Sequence, residues 1–181
     1  MDHMKSPPLE PLLEIVGALE AAAVVVALGG SGLLAALGLV DQVNDWDLTT
    51  DASLDQVGVA LRGFETEWCG SSGIHADQKL IIAAARTECI IGFAFQSEAG
   101  VSRIPTVVTR HWNGVPVGSP EGWAIAYALL GREPKAARLF GWLECAGVDE
   151  TMRGRLLREP LPGALAVRLR ALPPRRTSST T

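Results

Sequence analysis

The sequence predicts an α+β protein: a mixed β-sheet flanked by helices, followed by a small helical region. Three observations carry this. The β-branched run Val24-Val25-Val26 gives way through GGSG to the helix-forming LLAAL at 33–37, which reads as a buried strand, a glycine turn and a helix. Short segments of strand composition recur at 46–49, 65–68 and 88–95, set apart by turn residues. Beyond Gly114 the pattern turns helical, opened by Ser119-Pro120-Glu121, an N-cap with proline at the first helical position.

Taken in order, Pro7 and Pro8 precede a helix over 9–20, with Leu12, Leu13, Ile15, Val16 and Leu19 at helical spacing. A strand over 22–28 and a helix over 31–38 follow. Trp46-Asp47-Leu48-Thr49 is a short strand, and Asp51 or Ser53 caps a helix over 54–61. A weaker strand spans 65–68, and 70–73 is a loop. The segment 79–85 is ambiguous between strand and helix. ECIIGFAF at 88–95 and IPTVVT at 104–109 are strand candidates, and 114–118 is a turn. Helices are expected over 120–131, 134–146, 149–158 and 161–171. The domain expectation is therefore an α/β core at 1–113, a helical region at 114–172 and a disordered tail at 173–181.

Residues 21–40 form an uncharged run of 20, the length at which a membrane helix becomes an alternative. The glycines of GGSG, at the centre of that run, each cost a helix roughly 1 kcal/mol relative to alanine. The flanks are Glu20 and Asp41, without the Lys or Arg that orient a span. A strand, turn and helix in a protein without a membrane segment is the reading that follows.

Charge is unevenly placed. Residues 1–150 hold nine Lys/Arg against 19 Asp/Glu, giving −10, while 151–181 hold seven Arg against Glu159 alone, giving +6. An acidic body disfavours a stable nucleic-acid complex; the basic C-terminal segment leaves one open to an anionic partner. Cys69, Cys89 and Cys145 are odd in number and widely spaced. That pattern suits a reducing cytoplasm rather than a disulfide scaffold or zinc knuckle. MDHMKSPPLEPLLE lacks the basic start of a secretory signal. His75 and His111 have no neighbour at metal-ligand spacing and read as structural or exposed.

The chemistry concentrates at NDWDLTTD. In a strand, residues i and i+2 share a face, so Asp45 and Asp47 project together while Trp46 and Leu48 turn to the core. Two carboxylates a few ångströms apart repel by roughly 4 kcal/mol at a surface-like dielectric. A bound cation or a proton on one partner offsets that. Mg²⁺ suits hard oxygen ligands and leaves positions open for phosphates. The Gly29-Gly30-Ser31-Gly32 turn is the complement, since glycines admit a close ligand and a following helix start favours phosphate.

An apolar strand, Gly30-Ser31, 13 intervening residues and Asp45-Trp46-Asp47-Leu48 together resemble the nucleotidyltransferase signature of DNA polymerase β-like enzymes. The longer string DWDLTTDASLDQV is similar to the corresponding part of the poly(A) polymerase and CCA-adding group, where Asp-x-Asp runs into Thr-Asp-Ala and a helix. The resemblance covers 24–57, about a fifth of the chain. Two departures stand out: the Arg-rich motif that follows in those enzymes is absent, and so is their RNA-binding body. The chain instead looks like a minimal nucleotidyltransferase, and GSPEGWAIAYALLGREPKAARLF resembles the helix after the catalytic sheet in small stand-alone members.

The resemblance implies a nucleotidyltransferase-like sheet, one or two Mg²⁺ ions and a nucleoside triphosphate substrate such as ATP. It implies a third carboxylate on a later strand. Glu88 is the candidate because it opens ECIIGFAF, with Asp77 as the alternative and Glu98 more distant. Asp45, Asp47 and Glu88 would then be both metal ligands and catalytic residues. Gly29, Gly30 and Ser31 would bind the β- and γ-phosphates. Lys135, with Arg132 and Arg138, would reach the nucleotide or its acceptor. An acceptor hydroxyl of unidentified origin would attack the α-phosphorus and release pyrophosphate. The competing expectation is a catalytically inactive module on the same fold, for nucleotide binding or protein interaction, such as a toxin–antitoxin component. A Glu88 far from both aspartates would favour it.

Overall fold

The computed structural model describes residues 6–70 and 78–176. The chain divides into two compact units, Met1–Ala94 with Pro105–Ser119, and Phe95–Ile104 with Pro120–Thr181.

The first unit opens with helix α1 (Leu9–Ala21), whose Leu12, Ile15, Val16 and Leu19 are buried. Ala23 then takes a positive φ of 57° and turns the chain. Strand β1 is only Ala27–Leu28, shorter than the expected 22–28. The reason lies in its neighbours: Ala27 and Leu28 pair with Thr49 and Leu48, whereas the Val25 carbonyl accepts a hydrogen bond of 2.7 Å from the Thr50 hydroxyl instead of a ladder amide. Helix α2 (Gly30–Ala36) follows directly. Strand β2 (Trp46–Thr50) leads to α3 (Leu54–Ala60), which Ser53 and Gln56 close with a capping box.

Strand β3 is Glu67–Gly70. The ambiguous 79–85 segment resolves into strand β4 (Gln78–Ile82) and one 3₁₀ turn, Ala83–Ala85. ECIIGFAF is not one strand. Strand β5 (Thr87–Ile91) stops where Gly92 adopts φ 66°, and strand β6 (Ala94–Ser97) starts a different sheet.

The 104–109 segment is not a strand either. Pro105 has no amide to offer, the Thr106 N–H donates to the Asp51 carboxylate, and the Thr109 N–H donates to the Val117 carbonyl. The expected turn at 114–118 is instead the second arm of a hairpin. Strands β8 (Arg110–Trp112) and β9 (Val115–Val117) are joined by Asn113 and Gly114 at φ 49° and 83°. Two positive φ values make this an Asn-Gly type I′ turn, a signal present in the sequence.

Among the described residues, the first unit is thus built on a mixed seven-stranded sheet in the order β3-β4-β5-β2-β1-β9-β8. Strand β2 runs antiparallel to β1 and parallel to β5. One face carries the core: Leu12, Ile15, Leu19, Trp46, Leu48, Val57, Leu61, Leu80 and Cys89. Each such large side chain contributes about 1.5–3 kcal/mol on burial. The same burial pushes the Cys89 thiol up to about 12. At pH 8 its thiolate fraction is then roughly one in ten thousand. Cys89 is expected to resist a thiol reagent in the native protein and to react on unfolding, whereas exposed Cys145 reacts at once. Rapid native labelling of Cys89, read by mass spectrometry, would contradict this.

In the second unit, β6 and β7 (Gly100–Arg103) form a two-stranded ribbon. It joins helices α4 (Pro120–Leu129), α5 (Glu133–Ala146), α6 (Glu150–Leu156) and α7 (Gly163–Ala171). The Ser102 hydroxyl donates to the Pro160 carbonyl at 3.0 Å, and the Arg103 N–H donates to Glu159 at 2.8 Å. Residues 95–104 therefore group with the helices, and the first unit includes the chain from Pro105 to Ser119, whereas the domain expectation drew its boundary at 113. The start of the segment expected as a tail, from 173, makes backbone hydrogen bonds. The Val148 N–H donates to the Pro173 carbonyl, and the Arg175 N–H returns to Val148, both at 2.8 Å. Residues 177–181 lie outside the described residues. Among the described residues, no helix is long and apolar enough to cross a membrane.

Candidate functional site

Asp47 is the pivot of the site. Alternation along β2 sends Trp46 and Leu48 into the core, 1% and 0% exposed, and leaves Asp47 half-buried on the opposite face. The Asp47 carbonyl accepts the Gly29 N–H at 2.7 Å, which ties the glycine turn to this strand position. Gly30 follows at φ 55°. A Cβ added there would overlap Asp47 Oδ2 and lie 2.7 Å from its Cγ. The turn and the carboxylate expected to form two halves of one site are thus packed against each other. Ser31 is half-buried in the first turn of α2, which contains no acidic residue.

A paired test isolates that contact. Gly38 also has a positive φ, 71°, but a Cβ there meets nothing within 4 Å. Gly30→Ala and Gly38→Ala share a backbone strain of about 1–2 kcal/mol. Only Gly30→Ala displaces the Asp47 carboxylate. It should cost more in thermal stability than Gly38→Ala does. Equal losses of melting temperature would dismiss the contact.

Asp47 and Glu88 are register partners across the parallel β2–β5 pair. Neighbouring strands lie about 4.8 Å apart, so the two carboxylates rise side by side from one face. Sequence reasoning chose Glu88 from its place at a strand start; the register is what brings it beside Asp47. Asp45 stands in the exposed bend just before β2. The ladder begins with the Trp46 N–H donating to the Arg86 carbonyl at 2.8 Å, so strand alternation does not govern Asp45. Asp51, the next acid along, holds the Thr106 amide.

Sequence reasoning missed Lys79. It lies on β4 with Ile81, while Leu80 and Ile82 enter the core. Lys79 pairs with Ile90, and Ile81 with Glu88, so Lys79 is the diagonal neighbour of Glu88 on the Asp47 face. Its Nζ is 2.7 Å from Glu88 Oε2, the side chains being 23% and 28% exposed. The alternation K-L-I-I before Ala83 was the available signal, hidden by the ambiguity of 79–85.

The local group is therefore two carboxylates and one ammonium. Its donor chemistry is the hard-oxygen kind that suits Mg²⁺. Among the described residues, though, no three His, Cys, Asp or Glu side chains are grouped to hold a metal ion. Glu88 is engaged with Lys79 instead. Of the other candidates, Asp77 and His75 lie outside the described residues, and Glu98 is an exposed turn residue of the second unit. Lys135 also belongs to the second unit, where its Nζ sits 5.3 Å from the centroid of the Tyr127 ring.

No protein-family model and no curated protein matches this chain. Solved structures do. A Thermotoga maritima protein, provisionally assigned as a nucleotidyltransferase, is 25% identical; the match covers 79% of this chain and 98% of that one, with a TM-score of 0.54. The antibiotic-resistance factor ANT(2″)-Ia in solution is 13% identical over 89% of this chain and 92% of its own, at a TM-score of 0.54. ANT(2″)-Ia in complex with adenylyl-2″-tobramycin is 13% identical over 90% and 97%, at 0.56.

Proposed function

We propose that this chain, whose mixed α+β fold is that of the nucleotidyltransferases, transfers a nucleoside monophosphate from a nucleoside triphosphate to a hydroxyl acceptor and releases pyrophosphate. The observation that carries the reading is the register pairing of Asp47 with Glu88 beside the Gly29–Gly30 turn.

In this reading Asp45, Asp47 and Glu88 hold one or two Mg²⁺ ions, which supply charge neutralisation at the reacting phosphate when bound. Gly29, Gly30 and Ser31 receive the β- and γ-phosphates, because the glycine backbone approaches closely and the Ser31 hydroxyl can donate. A carboxylate, by resemblance Glu88, takes the acceptor's proton. The protein's part is mainly position and electrostatics. The narrower kinship with poly(A) polymerase and CCA-adding enzymes rests on DWDLTTDASLDQV alone. An acidic body argues for a small-molecule or protein acceptor over an RNA, with the basic C-terminal segment the one place for an anionic chain. The free cysteines Cys69, Cys89 and Cys145 support a cytoplasmic setting.

A second reading keeps the fold without catalysis, as a nucleotide-binding or protein-interaction module. The Lys79–Glu88 pair favours it, since it occupies the third carboxylate. Calorimetry separates the two. Wild type and Asp45→Ala/Asp47→Ala are titrated with each of four nucleoside triphosphates in Mg²⁺. Wild type should bind at least one, and the double variant none. A wild type that binds none sinks the enzyme; binding that survives the double substitution removes the metal role.

A further inference from the structure

We propose that Lys79 is a built-in counter-ion that holds Glu88 when the site has no metal and competes with a divalent cation for it, thereby setting the metal affinity of the site. The inference rests on the reading of Asp47 and Glu88 as metal ligands.

The strand order β4-β5-β2 puts Glu88 between two opposite influences. On the β2 flank is its register partner Asp47, of like charge. On the β4 flank is Lys79, whose Nζ lies 2.7 Å from Glu88 Oε2. Both charges act on one carboxylate from opposite sides of one strand, so its resting place is next to the ammonium. A single ammonium leaves the Asp47–Glu88–Lys79 group at a net charge of −1, so it balances the carboxylates only in part. A divalent ion would balance them fully, but it reaches Glu88 only by displacing Lys79 or sharing the carboxylate with it.

Lys79 is a positioning residue on this account, and its charge should oppose metal entry in two ways. It engages a ligand, and it repels a second cation nearby. A lysine present only to stabilise the sheet would oppose nothing: its removal would loosen the site and leave metal affinity equal or lower.

The test follows Mn²⁺ binding without nucleotide, using the electron paramagnetic resonance signal of the free ion. Lys79→Met should bind Mn²⁺ about tenfold more tightly than wild type. Lys79→Gln, which keeps a polar end, should do the same and serves if the methionine variant melts early. In the Glu88→Gln background, adding Lys79→Met should gain much less, because the contested ligand is gone; the shortfall is the coupling between the pair. Unchanged or weaker binding in both Lys79 variants overturns the role of Lys79, and so does a full tenfold gain in the Glu88→Gln background. If wild type and the Lys79 variants all fail to bind Mn²⁺, the metal-site reading falls as well. If wild type binds while the variants do not improve on it, only Lys79 loses its role.

Discussion

Asp47→Asn is expected to lower Mg²⁺-dependent ATP affinity at least about 100-fold while leaving the melting temperature equal or higher. Residues that merely support a metal ligand typically cost 10–100-fold in affinity when changed, and Asp47 is proposed as a ligand itself. One structural tie at this position is made by backbone and survives the change. The Gly29 N–H bonds the Asp47 carbonyl, which asparagine retains. The side chain faces the register partner Glu88, so removing one charge relieves repulsion. A combination of calorimetry and thermal melting checks both halves. An Asp47→Asn protein that binds Mg²⁺–ATP like wild type would take Asp47 out of the site.

Glu121→Ala is expected to destabilise the second unit by about 3 kcal/mol. Glu121 is 0% exposed, accepts the Asp149 N–H at 2.8 Å and pairs with Arg175 at 3.2 Å. Truncation leaves a half-buried amide and a half-exposed guanidinium without this acceptor, and breaking such a pair costs roughly 3–5 kcal/mol when both ends are buried. Arg175 is 38% exposed, which places the expectation at the lower end. For a chain of this length that corresponds to a fall of roughly 6–12 °C in melting temperature. Glu121→Gln keeps an acceptor for the amide and should lose less. Melting of Glu121→Ala within about 1 °C of wild type would show that the carboxylate is not what fastens the C-terminal segment.

Legibility followed the range of the interaction. The α2 turn, the α3 cap and the four C-terminal helices depend on residues within one or two turns of each other, and they were readable. The Asn113-Gly114 hairpin is equally local, but a turn placed over 114–118 leaves out Asn113, the first of its two positive-φ residues. ECIIGFAF shows the opposite case. Its apolar run is continuous, but Gly92 at φ 66° divides it between two sheets, and composition does not record which sheet a strand joins. The acidic cluster shows the same limit. Asp45, Asp47 and Asp51 lie within seven residues, yet the fold uses them differently: Asp47 lies on the strand face, Asp45 in the bend before it, and Asp51 holds the Thr106 amide.

By itself the sequence determined the α+β class, the glycine break in the apolar run, and the pairing of a glycine turn with a carboxylate strand. These rest on local conformational preference and on side-chain periodicity, which neighbouring residues specify. Only the tertiary structure decided that Asp47 stands beside Glu88, that Glu88 is held by Lys79, and that residues 95–104 join the helices. Those outcomes depend on strand order and register. A shift of one residue between β2 and β5 would turn Glu88 away from Asp47, and that register is set by the whole core beneath the sheet.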